Sequence, residues 1–182
     1  MLKKLLLGAL ALLLLFVGTA AWLGSREPAF HHARVRAQYA ATPERVWSAV
    51  RDLDSWPSWN SVAERMEAHE PVEGLPAWTM HSRFGPLPMR VEELGELRMR
   101  TLTSEEDGVG FHGSWSYEVQ AAPGGGSVLV LDERGSIESV WMRAAYVLFV
   151  DYDAGLRQFA ADLGAHLGES IEPETLLSGE ER

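Results

Sequence analysis

The sequence predicts an α+β protein: a curved antiparallel sheet of about seven strands wrapped around a long C-terminal helix, preceded by one N-terminal transmembrane helix. Three observations carry this prediction. Residues 5–24 form an uncharged, strongly apolar run behind Lys3 and Lys4; the middle of the chain is a string of short alternating segments cut by Gly and Pro; and an apolar stripe recurs at three- and four-residue steps from Trp141 to Leu167.

A helix of about 20 apolar residues spans the roughly 30 Å hydrocarbon core of a bilayer, so residues 1–27 read as a signal anchor. The small residues Gly18-Thr19-Ala20-Ala21 would also suit a signal-peptide cleavage site. Retention is favoured because the run continues through Trp22 and Leu23 to full spanning length, with Trp22 where an interfacial aromatic belongs. Lys3 and Lys4 are the only lysines, and positive charge stays inside. The expected location is the cytoplasmic (inner) membrane, single-pass, with the C-terminal domain on the extracytoplasmic side. Cleavage would instead make the domain periplasmic or secreted.

Residues 28–168 are long enough to bury a core of their own. From residue 25 onward there are 14 arginines against 26 carboxylates, a net charge of −12 with the histidines neutral. Nucleic acid is therefore excluded as a partner, since binding phosphates needs a basic surface. The arginine-for-lysine bias points to a bacterium of high genomic GC content. No cysteine is present, so neither disulfides nor thiolate metal sites hold the fold. Residues 169–182, rich in Glu and Ser, are expected to form a disordered acidic tail.

The domain opens with Ala33, Val35, Ala37 and Tyr39 alternating with His32, Arg34, Arg36 and Gln38, the period of a half-buried strand. Thr42-Pro43-Glu44 then starts a helix, with Thr42 as N-cap and Pro43 at the first helical position. Asp54-Ser55-Trp56-Pro57 starts a second short helix. Six strands are expected at 62–68, 77–84, 87–94, 97–104, 109–121 and 127–137, separated by turn residues including Gly74, Gly85-Pro86, Gly95, Glu105-Glu106-Asp107-Gly108 and Gly124-Gly125-Gly126. The terminal stripe makes about seven turns of helix with one apolar face. Gly155 and Gly164 are candidate bend points, and the sheet is the surface on which such a helix would lie.

Strand, two short helices, six strands and a long helix is the helix-grip order. The segments Ala41-Thr42-Pro43-Glu44-Arg45-Val46-Trp47 and Asp52-Leu53-Asp54-Ser55-Trp56-Pro57-Ser58-Trp59-Asn60, with Gly113-Ser114-Trp115-Ser116-Tyr117, resemble the polyketide cyclase/dehydrase-like (SRPBCC) family of the START/birch-pollen-allergen superfamily. The resemblance covers about residues 30–168. It implies a cavity between sheet and helix.

What would line that cavity follows from alternation. Phe111, Gly113, Trp115, Tyr117 and Val119 share one strand face, expected inward; Trp78, Met80 and Phe84 group likewise, as do Leu87, Met89 and Val91, and Leu97, Met99 and Thr101. The strand at 127–137 is apolar on both faces over Val128–Leu131 and is left unassigned. With the helix stripe, the expected ligand-binding residues are Trp78, Met80, Phe84, Met89, Met99, Phe111, Trp115, Tyr117, Trp141, Leu148 and Tyr152. Such a wall suits a hydrophobic small molecule or lipid.

No catalytic residues, cofactor or metal are expected. The six histidines show no HExxH pattern and no i, i+4 pair. His31 and His32 would point to opposite faces of a strand. Gly124-Gly125-Gly126 lacks the Lys-Ser/Thr of a phosphate loop, and the acidic turn lacks calcium-ligand spacing. Three readings follow: a non-catalytic, membrane-tethered domain that binds or transports an apolar ligand; a cyclase- or dehydratase-type enzyme with an inward polar pair drawn from Tyr117, Tyr152 or a carboxylate; and a cochaperone-like interaction module with a filled core. A buried polar group of shifted pKa separates the first two. A cavity of roughly 300 Å³ or more separates both from the third.

Overall fold

The computed structural model describes residues 2–104, 108, 110–149 and 151–179. Most of the acidic turn at 105–108 lies outside them. The N-terminal run is α1 (Leu2–Arg26), a single helix long and apolar enough to cross a membrane. Leu7, Leu12 and Leu15 are among the leucines that face outward from it.

The domain begins with β1 (Phe30–Tyr39), which buries Ala33, Val35, Ala37 and Tyr39 on one face as the alternation requires. α2 (Pro43–Arg51) follows; Thr42 Oγ1 accepts from the Arg45 amide and Pro43 occupies the first turn. Trp56 sits in a short 3₁₀ helix (Leu53–Ser58). The strands β2 (Arg65–Val72), β3 (Leu75–Ser82), β4 (Gly85–Gly95), β5 (Arg98–Thr103), β6 (Phe111–Ala121) and β7 (Ser127–Ile137) come next. Every pairing is antiparallel, in the order β2-β3-β4-β5-β6-β7-β1, and an eighth strand adds to β1. The β2–β3 turn places Glu73 and Gly74 at φ 54° and 81°, the paired left-handed conformation that matches strand twist in a two-residue hairpin.

The expected single long helix is two. α3 (Val140–Phe149) and α4 (Ala154–Leu167) are separated by a break next to Gly155. α4 lies on the sheet and buries Leu156, Phe159, Ala160 and Leu163, while α3 packs against the end of α1. Small residues permit this close approach: Ala20 and Gly24 are buried, and a Cβ on Gly24 would stand 2.0 Å from the Val140 carbonyl oxygen. The Arg143 guanidinium ties the junction by donating to the carbonyls of Gly24 at 2.9 Å and Ile137 at 2.7 Å. The apolar stripe is continuous in sequence because both helices are amphipathic, but they serve different partners.

The tail also departs from expectation. Glu174–Gly179 is β8, paired with β1, and Asp153 at the start of α4 accepts from the Thr175 hydroxyl. The open edge of β1 offers backbone partners that outweigh the tail's polar composition. Glu169, just past α4, accepts from the amides of Ala40 and Ala41 at 2.7 and 2.9 Å. The Gly168 C-cap at φ 82° turns the chain to make this contact.

Candidate functional site

Strand register assembles the site. Thr101 on β5 faces Trp115 on β6, which faces Glu133 on β7. The next rung holds Met99, Tyr117 and Leu131, and Met80 of β3 faces Leu87 of β4. α4 closes the top with Gly155, Leu156 and Phe159, and the segment after α2 closes one end with Trp56, Asn60 and Val62. Trp56 meets Phe159 edge-on at 5.3 Å between ring centroids and Tyr117 at 5.9 Å, while its indole N–H donates to the Val50 carbonyl at 3.1 Å.

These residues enclose a partly open, mainly apolar cavity of about 150 Å³. That is half of the roughly 300 Å³ expected of a ligand site, so on volume alone the cavity falls on the side of the filled core. Apolar cavities of about this volume accept a benzene-sized guest. Larger concavities on the outer surface are lined by charged side chains, such as Glu44, Arg51, Glu93 and Glu96.

Of the residues expected to line the interior, Met80, Met89, Trp115 and Tyr117 do so. Met99 is buried in the neighbouring core. Trp78 packs beside it and lines a separate small cleft. Phe111 packs at a tilt against Trp115 at 5.3 Å, and Tyr152 stacks on His31 at 5.0 Å. Three placements are corrected. Phe84 is 78% exposed because it sits at the β3–β4 turn under the Arg83 guanidinium. Trp141 and Leu148 are exposed because α3 leaves the sheet for α1.

The residue with most chemical potential here is Glu133, which the sequence reading missed. Its Oε1 lies 3.1 Å from Nε2 of His31, a residue only 3% exposed. His31 Nδ1 is buried without a hydrogen-bond partner, and Nε2, the nitrogen that faces the carboxylate, is the one assigned as the donor to Glu133. His32 points the other way, to Asp132 at 3.0 Å. A signal for Glu133 existed: Asp132, Arg134 and Ser136 form a polar face on β7, which turns Leu129, Leu131, Glu133 and Ile137 inward.

Burial pushes the Tyr117 phenol well above its ordinary pKa; the Thr101 hydroxyl opposes the shift and the Glu133 charge adds to it. Tyr146 shifts the same way through burial, Glu133 and Tyr152. Both remain protonated donors at neutral pH. Among the described residues no group of His, Asp or Glu is arranged to hold a metal ion.

The fold is that of several solved structures. A START superfamily protein from Mycobacterium smegmatis superposes with a TM-score of 0.60 at 16% identity, covering 76% of this chain and 97% of that one. The Zhui aromatase/cyclase from Streptomyces sp. R1128 gives 0.60 at 16% identity, with 76% and 92% covered. Norcoclaurine synthase from Thalictrum flavum gives 0.58 at 12% identity, with 77% and 87% covered. No curated protein sequence matches the chain. Residues 31–164 match the family model described as polyketide cyclase / dehydrase and lipid transport, and the chain belongs to that family.

Proposed function

We propose that the protein is a membrane-tethered, non-catalytic domain that binds or carries a hydrophobic small molecule or lipid at the outer face of the cytoplasmic membrane. The observation that carries this reading is the cavity wall: Trp56, Met80, Leu87, Met89, Trp115, Leu131 and Phe159 with one carboxylate, Glu133. Its volume suits the ring-sized end of a ligand, the remainder lying toward the opening. α1 supports the tether by length and composition. α3 supports membrane proximity, because it packs on the last turns of α1 and leaves Trp141, Met142 and Leu148 uncovered. An apolar ligand partitions into the bilayer, and a cavity held there samples a high local concentration.

A specific observation favours the enzymatic reading as the runner-up. Glu133 with His31 is an inward polar pair of the kind acid–base chemistry uses. Tyr117 argues against proton transfer through the phenol, since its pKa moves away from the operating pH.

The test is uptake of a neutral fluorescent naphthylamine probe by the full chain in lipid nanodiscs, with empty nanodiscs as reference. Saturable uptake that Trp115→Arg abolishes, with circular dichroism unchanged, is the expected result. Uptake unaffected by that substitution contradicts the cavity as the site.

A further inference from the structure

The cavity contains an asymmetry of charge. Among its lining residues Glu133 is the only ionisable carboxylate, and no arginine, lysine or histidine lines it. His31 stands behind Glu133 and outside the lining, its Nε2–H directed at Oε1. The wall therefore presents a carboxylate to the lumen with no cationic side chain among the lining residues. The Glu133 side chain is only 12% exposed, so water screens that charge weakly. The nearest arginines on the same strand pair, Arg34 and Arg134, lie on the opposite face with Asp132.

We propose that this cavity selects ligands presenting a hydrogen-bond donor, a hydroxyl or an ammonium, to Glu133, and rejects ligands whose polar end is a carboxylate. The inference rests on the binding reading above and names the ligand class for it. A carboxylate placed in this lumen meets a like charge at low dielectric with no lining cation to offset it. A hydroxyl or ammonium meets an acceptor already held in place by His31. The apolar wall takes the body of the ligand, and the volume limits the enclosed part to about one ring. The cargo class is thus the alcohols, phenols and amines of apolar compounds, and free fatty acids are excluded.

The experiment compares three probes of one apolar body, phenylethanol, phenylethylamine and phenylacetate, by ligand-observed NMR on the full chain in nanodiscs, corrected with empty nanodiscs. The wild type is expected to bind the alcohol and the amine about tenfold or more tightly than phenylacetate. Glu133→Gln keeps the shape and removes the charge; it is expected to strengthen phenylacetate and narrow the preference to about threefold or less. Phenylacetate binding as well as the alcohol in the wild type overturns the selectivity and leaves the cavity reading standing. A preference that survives Glu133→Gln overturns the role of Glu133. Failure of all three probes overturns the binding reading and this inference with it.

Discussion

Truncating Trp56 to alanine is expected to destabilise the domain by about 4–5 kcal/mol, a large part of the 5–15 kcal/mol typical of a whole domain. The side chain is 2% exposed and touches Phe159, Trp59 and Tyr117 through its ring. A buried Trp removes roughly 150–250 Å² from water, about 4–6 kcal/mol at 25 cal/mol per Å². Collapse cannot recover much, because Trp56 already borders the cavity and its loss enlarges that void. Trp56→Phe separates the terms: it keeps most of the apolar body but leaves the Val50 carbonyl without its indole donor, at a cost of about 1–2 kcal/mol. Urea denaturation of the full chain in mild detergent, followed by circular dichroism, measures both. Trp56→Ala within about 1 kcal/mol of wild type, or Trp56→Phe as destabilised as Trp56→Ala, would refute the packing argument.

Three further outcomes test other parts of the account. Gly24→Val places side-chain atoms against the Val140 carbonyl, so α3 should lift from α1 and expose Arg143; faster trypsin cleavage after Arg143, identified by mass spectrometry, is expected, and an unchanged rate contradicts the contact. Tyr39, Tyr117 and Tyr146 all have phenol pKa values raised by burial. Unfolded phenols ionise near pH 10, so the folded state holds more protons above that pH. Stability is then complete below about pH 10 and falls as pH rises further. Phenolate absorbance should develop together with unfolding, and ordinary titration of these tyrosines near pH 10 in the folded protein would be inconsistent with their burial. Glu133→Gln should shift head-group preference with little change in urea midpoint, because the amide preserves shape and can still meet His31.

Much of the sheet was legible in the sequence because its signals are local. Alternation placed β1 and β3 to β7 within a few residues, and Thr42-Pro43 located α2, since capping and period-two burial are decided by neighbours in the chain. The misreadings concern partners distant in sequence. Trp141 and Leu148 continue the stripe of Leu156 and Leu163, and nothing local says that the first pair belongs beside α1 and the second beside the sheet. Glu174–Gly179 reads as an acidic tail until the free edge of β1 is known. Glu133 was obscured by Val128 and Val130, which make β7 apolar on both faces at its start. Its inward direction is legible from the polar face of Asp132, Arg134 and Ser136 further along the strand, and the Trp115–Glu133 register agrees with it.

The central claim, an apolar ligand in the cavity between α4 and the sheet, is tested most directly by native mass spectrometry of the full chain released from nanodiscs made from its own membranes, followed by organic extraction of the released material. The account predicts a stoichiometric apolar guest carrying a hydroxyl or amine, lost in Trp115→Arg. A clean apo mass for the wild type, together with no uptake of the neutral probe, would contradict it and leave the interaction module with a filled core.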